Sequence, residues 1–187
     1  MEIPKALRRS LWVFHLNTGA CNACDIEILD ALTPYHDAER LGVKLVASPR
    51  HADAILLTGP ITVNAFPYVL RAIRAMPEPK IVIAIGSCAC GGGIWYDSYS
   101  TLGGVPKLLE VLKKYSIEIS KVIYVPGCPP KPEAILFALA MVKGVVVQKQ
   151  KREVYSKKVV AEDIGVVEIH RGEFRRSIEE FRSLVEV

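Results

Sequence analysis

Hydrophobic residues in this chain gather into short unbroken runs, and between the runs they recur at every third or fourth position. Leu11–Leu16 is an aromatic-rich apolar run that gives way to Asn17-Thr18-Gly19, the pattern of a buried strand entering a loop. Val43–Ala47, Ala54–Thr58, Lys80–Ile85 and Lys121–Val125 read as further strands, each closed by Pro or Gly within a few residues. Lys80–Ile85 shows no alternation, as expected of a strand buried on both faces in a parallel sheet. Ile26, Leu29 and Leu32, at helical spacing, predict a helix over Asp25–Leu32 that stops before Pro34. A second covers Phe66–Met76, with Val69, Leu70, Ile73 and Met76 inward and Arg71 and Arg74 outward. A third covers Gly104–Tyr115, with Val105, Leu108, Leu109 and Leu112 inward. The last covers Lys131–Val142, with Pro132 in its first turn and Gly144 past its end.

Strands alternating with helices predict an α/β fold: a doubly wound parallel sheet of four to five strands occupying residues 10–145. No internal repeat interrupts this order. The character changes after Gly144. Residues 148–158 are mainly basic, and beyond them Val166–Ile169 reads as a short strand and Phe174–Leu184 as a helix striped by Phe174, Ile178, Phe181 and Leu184. Residues 146–187 are therefore expected to form a charged C-terminal extension, too small for a core of its own. It either packs back on its own domain or docks on a partner subunit.

The chain has 187 residues, of which 50% are hydrophobic and 24% charged. A chain of this length buries roughly 70% of its unfolded surface, so it needs no disulfides to fold. The composition excludes a disordered protein, a collagen-like repeat and a disulfide scaffold. The net charge of +4 is spread along the chain and implies no nucleic-acid partner. The longest helical apolar run, Ala134–Val142, falls far short of the ~20 residues a membrane helix needs. Arg8-Arg9-Ser10-Leu11 superficially resembles a twin-arginine export signal, but no long apolar region or small-residue cleavage site follows. The expectation is a cytosolic protein with reduced thiols unless a metal holds them.

Five cysteines change the picture: Cys21, Cys24, Cys88, Cys90 and Cys128. Three expected strands end just before one of them. In a parallel sheet those three loops emerge at one carboxyl edge, where open α/β sheets bind ligands. Cys21-Asn22-Ala23-Cys24 turns two thiols toward one centre. The glycines around Cys88 let backbone approach a bulky group and offer its sulfurs amide N–H donors. Cys128 lies on a Pro-Gly-Cys-Pro-Pro turn expected to lead directly into a helix, whose N-terminus favours a thiolate. Four thiolates suit a tetrahedral sulfur site, either zinc or an iron–sulfur cluster. Structural zinc usually takes its ligands as two close pairs, whereas Cys88 and Cys128 stand 40 positions apart, so iron–sulfur is favoured over zinc. On an extended backbone Cys88 and Cys90 would point to opposite sides, leaving Cys90 as a bystander.

Two other readings remain open on these residues. Cys21 and Cys24 alone resemble a thioredoxin-like redox dithiol, with Cys88 and Cys128 as ordinary buried thiols. A flavodoxin-like sheet could instead hold FMN phosphate at Thr18-Gly19, although the loop lacks the expected run of hydroxyls.

Taken in order, Asn17-Thr18-Gly19-Ala20-Cys21-Asn22-Ala23-Cys24-Asp25-Ile26-Glu27, Ser48-Pro49-Arg50-His51-Ala52-Asp53, Thr58-Gly59-Pro60-Ile61-Thr62, Gly86-Ser87-Cys88 and Pro126-Gly127-Cys128-Pro129-Pro130 resemble a known family. It comprises the small subunit of nickel–iron hydrogenases and the 20 kDa subunit of respiratory complex I. The resemblance covers residues 10–143 and is closest to the membrane-bound, energy-converting hydrogenases and the related sulfane sulfur reductases. It implies a flavodoxin-like domain carrying one [4Fe–4S] cluster on Cys21, Cys24, Cys88 and Cys128, with Gly19, Gly86, Ser87, Pro129 and Arg50 around it. It further implies a hydrogenase-like large subunit, a neighbouring iron–sulfur subunit and membrane subunits as partners. The chain would then be a peripheral electron-transfer subunit on the cytoplasmic side of the cell membrane, not catalytic alone. Complex I subunits carry adjacent cysteines at the first site, so Cys21-x-x-Cys24 favours the hydrogenase-like branch over a quinone reductase. No cysteine follows Cys128, so only the proximal cluster is expected. The remaining alternative is a zinc-stabilised assembly module without redox activity. By the same resemblance Arg50 and His51 lie near the cluster or the large subunit, and Asp25 and Glu27 either move protons or, as first-turn acids, stabilise a helix. Trp95, Tyr96 and Tyr99 form either an interface patch or part of the core.

Overall fold

The computed structural model describes residues 9–146, so all but the first residue of the expected extension lies outside the described residues. Five strands form one sheet: β1 (Leu11–Asn17), β2 (Val43–Leu45), β3 (Ala54–Thr58), β4 (Ile81–Ile85) and β5 (Lys121–Val125). Their order is β2-β1-β3-β4-β5, and every pairing is parallel. The helices are α1 (Ala23–Leu32), α2 (Phe66–Ala75), α3 (Ser87–Gly91), α4 (Val105–Lys114) and α5 (Pro132–Val142).

The alternation of side chains along each strand divides the core in two. Leu56 of β3 and Ile81, Ile83 and Ile85 of β4 face the layer containing Ile28 and Ala31 of α1 and Ile135 and Leu139 of α5. Ile55 and Leu57 of β3, with Val82 and Ala84 of β4, face Val69 and Ile73 of α2 and Val105, Leu108 and Leu112 of α4. The sheet is therefore doubly wound, and β3 and β4 are buried along their whole length, which is why they read as unbroken apolar runs. Because the chain turns one way from β1 to β2 and the other way from β3 onward, its direction reverses between β1 and β3. Such a reversal opens a crevice at the carboxyl edge.

In α1 the buried residues are Ile28 and Ala31, while Ile26 and Leu29 are exposed. One expectation needed correction: the segment after β4 is not an extended loop but the short helix α3. Among the described residues no helix is long and apolar enough to cross a membrane.

Candidate metal centre

The first loop is sewn to the end of β3. The Asn17 side-chain oxygen accepts from the Gly19 and Ala20 amides at 2.9 and 3.0 Å, the short polar turn expected of Asn. Thr18 is fully buried; its hydroxyl donates to the Thr58 carbonyl at 2.7 Å and accepts from the Ile61 amide at 3.1 Å. Gly19 has φ +104, and a Cβ there would fall 2.4 Å from Thr62 Cγ2. The Thr58-Gly59-Pro60-Ile61-Thr62 motif thus serves as a platform for the loop that carries Cys21 and Cys24. Cys21 is exposed, and Cys24 is half-buried in the first turn of α1.

The second and third loops are stitched to each other. The Ser87 amide and hydroxyl both donate to the Gly127 carbonyl, at 2.7 and 3.1 Å. Gly127 has φ +150, and a Cβ there would lie 2.5 Å from Pro130 Cα. Gly86 has φ +89, and a Cβ there would lie 2.5 Å from Cys24 Sγ, so the backbone of the second loop rests against a thiol of the first. Gly93 presses similarly on Cys88, its absent Cβ falling 3.1 Å from that sulfur.

Electrostatics links the same thiols. Burial pushes the Cys24 thiol up to about 11, and nearby charge on Cys21, Cys88, Asp25 and Cys128 pushes in the same direction. Burial also raises Cys88, followed by Cys128 and Cys21. Cys21, Cys24, Cys88 and Cys128 therefore lie within electrostatic reach of one another at the carboxyl edge. Among the described residues, no three His, Cys, Asp or Glu side chains are grouped so as to hold a single metal ion. The donor set itself, four thiols from three loops beside glycines that leave them room, fits an iron–sulfur group.

Of the other expected residues, Gly86 abuts the Cys24 thiol, Ser87 ties the second loop to Gly127 of the third, Gly19 supports the first loop, and Pro129 follows Cys128 on the third. Arg50 and His51 lie in the connection between β2 and β3, both ends of which are level with Val13 of β1. Both residues are exposed. Cys128 is not at a helix start, because three residues separate it from α5; Cys24 and Cys88 occupy first turns instead. Cys88 and Cys90 sit on a helical turn rather than an extended strand. The Cys90 thiol, raised to about 11 chiefly by burial, donates to the Ala84 carbonyl at 3.5 Å. Trp95, Tyr96 and Tyr99 are exposed rather than packed in the core, with Tyr99 at 99%. The Lys107 ammonium lies 4.6 Å over the Tyr96 ring.

The geometry bears on the rival readings. The Thr18 hydroxyl and the Gly19 and Ala20 amides are all engaged internally, which leaves no phosphate cradle for FMN. The proximity of Cys88 and Cys128 to Cys24 is unexplained by an isolated dithiol. What the sequence did not show was the supporting role of His15, Thr18 and Thr58, which depends on contacts across some thirty to forty positions, and that of Asn17, which depends on its bonds to Gly19, Ala20 and Asp25.

Comparison with known proteins agrees with this architecture. The family described as NADH ubiquinone oxidoreductase, 20 Kd subunit, matches residues 21–142. A probable membrane-bound hydrogenase subunit, mbhJ, of Pyrococcus furiosus is 46% identical over 82% of this chain and 86% of its own length. Formate hydrogenlyase subunit 7 of Escherichia coli is 43% identical over 79% of this chain, which spans 54% of that relative. Among solved structures, a chain of the membrane-bound sulfane sulfur reductase, an archaeal respiratory membrane complex, superposes with a TM-score of 0.59 at 32% identity, covering 75% of this chain and 72% of that one. A [NiFeSe] hydrogenase chain from Desulfovibrio vulgaris Hildenborough shares the fold at a TM-score of 0.51 and 19% identity, over 70% of this chain and 58% of that one. These relatives are subunits of oxidoreductases, and the kinship implies a part in electron transfer. With most of its sheet inside the matched span and similarity on this scale, the chain belongs to the family of the 20 kDa subunit of NADH:ubiquinone oxidoreductase, alongside the hydrogenase subunits related to it.

Proposed function

We propose that this chain is an electron-transfer subunit that carries one [4Fe–4S] cluster on Cys21, Cys24, Cys88 and Cys128. It exchanges electrons with the hydrogenase-like large subunit of a membrane-bound respiratory oxidoreductase of the hydrogenase or sulfane sulfur reductase type. The observation that carries this reading is the convergence of the three cysteine-bearing loops at one sheet edge, where Gly86 rests against the Cys24 thiol and Ser87 is bonded to Gly127 beside Cys128. A cluster bound there supplies reversible one-electron chemistry, tuned by burial and by hydrogen bonds to its sulfurs. The chain's own residues do the holding. Gly86 and Gly93 let backbone close on Cys24 and Cys88, and Ser87 fastens the Cys88 loop to the Cys128 loop. Exposed Ile94, Trp95, Tyr96 and Tyr99, just after the Cys88 helix, offer an apolar surface to the large subunit.

The subunit is peripheral, on the cytoplasmic side, and is held by the large subunit, a neighbouring iron–sulfur subunit and membrane subunits. Residues 10–145 form its cluster-binding domain and 146–187 its extension. It is not catalytic alone. Cys21-x-x-Cys24 and the 46% identity to a hydrogenase subunit favour this branch over a quinone reductase.

Anaerobic purification of the full chain in its complex tests the reading. The expected result is a brown protein whose broad visible absorption bleaches on reduction. Cys128→Ser abolishes the signal and Cys90→Ser retains it. A colourless protein with one zinc per chain would instead support the non-redox module.

A further inference from the structure

Asp25 follows directly after Cys24, and its carboxylate is the hub of a network that reaches three elements. Thr58 Oγ1 at the end of β3 donates to Asp25 Oδ1 at 2.6 Å, and His15 Nε2 on β1 lies 2.8 Å from the same oxygen. An ionised carboxylate only accepts, so the imidazole nitrogen there carries the hydrogen. Asn17 Nδ2 donates to Asp25 Oδ2 at 2.6 Å, while the Asn17 oxygen holds the Gly19 and Ala20 amides. One chain of bonds therefore runs from α1 through Asp25 and Asn17 into the backbone just before Cys21, and a second anchors Asp25 to both strands that flank the crevice. The Asp25 side chain is only 13% exposed.

We propose that Asp25 is the positioning residue of the first cysteine loop, its hydrogen bonds to His15, Asn17 and Thr58 clasping Cys21 and Cys24 onto the carboxyl ends of β1 and β3. This rests on the reading that Cys21 and Cys24 are cluster ligands. Its bonds to three side chains make Asp25 a fixed brace rather than a carrier that exchanges protons with a partner. As a fixed negative charge beside the cluster, it also holds the cluster's potential down.

Two substitutions separate the parts. Asp25→Asn keeps the shape and an acceptor for His15 and Thr58. It sets an amide N–H against that of Asn17, which cannot turn round because its oxygen is already bound. Asp25→Ala removes every bond. The full chain purified in its complex is examined by redox titration, by electron paramagnetic resonance of the reduced state and by the rate of iron release to a chelator. In Asp25→Asn the expected result is retained iron, an upward shift in midpoint potential and altered g values. In Asp25→Ala iron release accelerates about tenfold or more, the effect of losing a charge-assisted hydrogen bond. Asp30→Asn, the same change further along α1, leaves all three readouts at the wild-type values. Should Asp25→Ala fail to fold, Asn17→Ala breaks one arm of the clasp and must still speed iron release. Wild-type potential, g values and release rates in the Asp25 and Asn17 variants would overturn the proposal. A cluster that survives Cys21→Ser or Cys24→Ser unchanged would overturn the ligand reading, and the proposal with it.

Discussion

A single methyl group at position 86 would land 2.5 Å from Cys24 Sγ, and the backbone there is already in a left-handed conformation that side chains resist. Gly86→Ala must therefore displace either the thiol or the loop. The expected outcome is a loss of about 1–3 kcal/mol in stability and a fall in iron bound per chain, checked by urea denaturation and iron analysis. The cysteines and glycines of the candidate site stand out in the sequence, because each announces its chemistry by type. The supporting residues do not. His15 and Thr58 look like ordinary strand positions until the pairing of β1 with β3 sets Thr58 level with Asn17, diagonally across from His15, and only then does Asp25 between them acquire its partners.

At the scale of elements, β3 and β5 were legible to the residue and β4 to within one; for β3 and β4 the reason is that a strand buried on both faces needs an uninterrupted apolar run. Helix α1 was found, but the apolar spacing that marks it is not its buried face. Its sequence carries Ile26, Ile28, Leu29, Ala31 and Leu32, apolar on more than one side, so periodicity cannot choose between stripes. Position along the sheet decides. Cys24 must meet Gly86, and that turns Ile28 and Ala31 toward the sheet and Ile26 and Leu29 away. Paired lysine substitutions test the assignment. Ile26→Lys, at 63% exposed, should change stability by no more than about 0.5 kcal/mol. Ile28→Lys, at 1% exposed, places an unpaired charge in the core and should prevent folding. Thermal unfolding of the two variants reads the difference. Helix α3 escaped the sequence reading because five residues, three of them glycine or cysteine, carry no apolar period.

For the molecule as a whole, the doubly wound architecture followed from the order of strands and helices, and the family assignment agrees with it. A cluster bound only by the folded chain adds its binding free energy to folding stability. Removing iron under anaerobic chelation should therefore lower the melting temperature of the full chain, with each kcal/mol of lost binding worth roughly 2–4 °C at this size. Calorimetry before and after chelation measures the shift, and reconstitution with iron and sulfide should reverse it. Equal melting temperatures would mean that the thiols contribute nothing through a bound group.

The position of β5 at the far edge of the sheet has a consequence in time. The last thiol of the set follows the last described strand, so a ribosome must release nearly the whole domain before Cys128 can meet Cys24. Cys21 and Cys24 emerge first and then wait through the synthesis of three strands before Cys88 follows, and through a fourth before Cys128. Under the proposed ligand set, machinery that delivers iron and sulfide would act on the finished sheet, and any that guards nascent thiols from oxidation would act on the first pair.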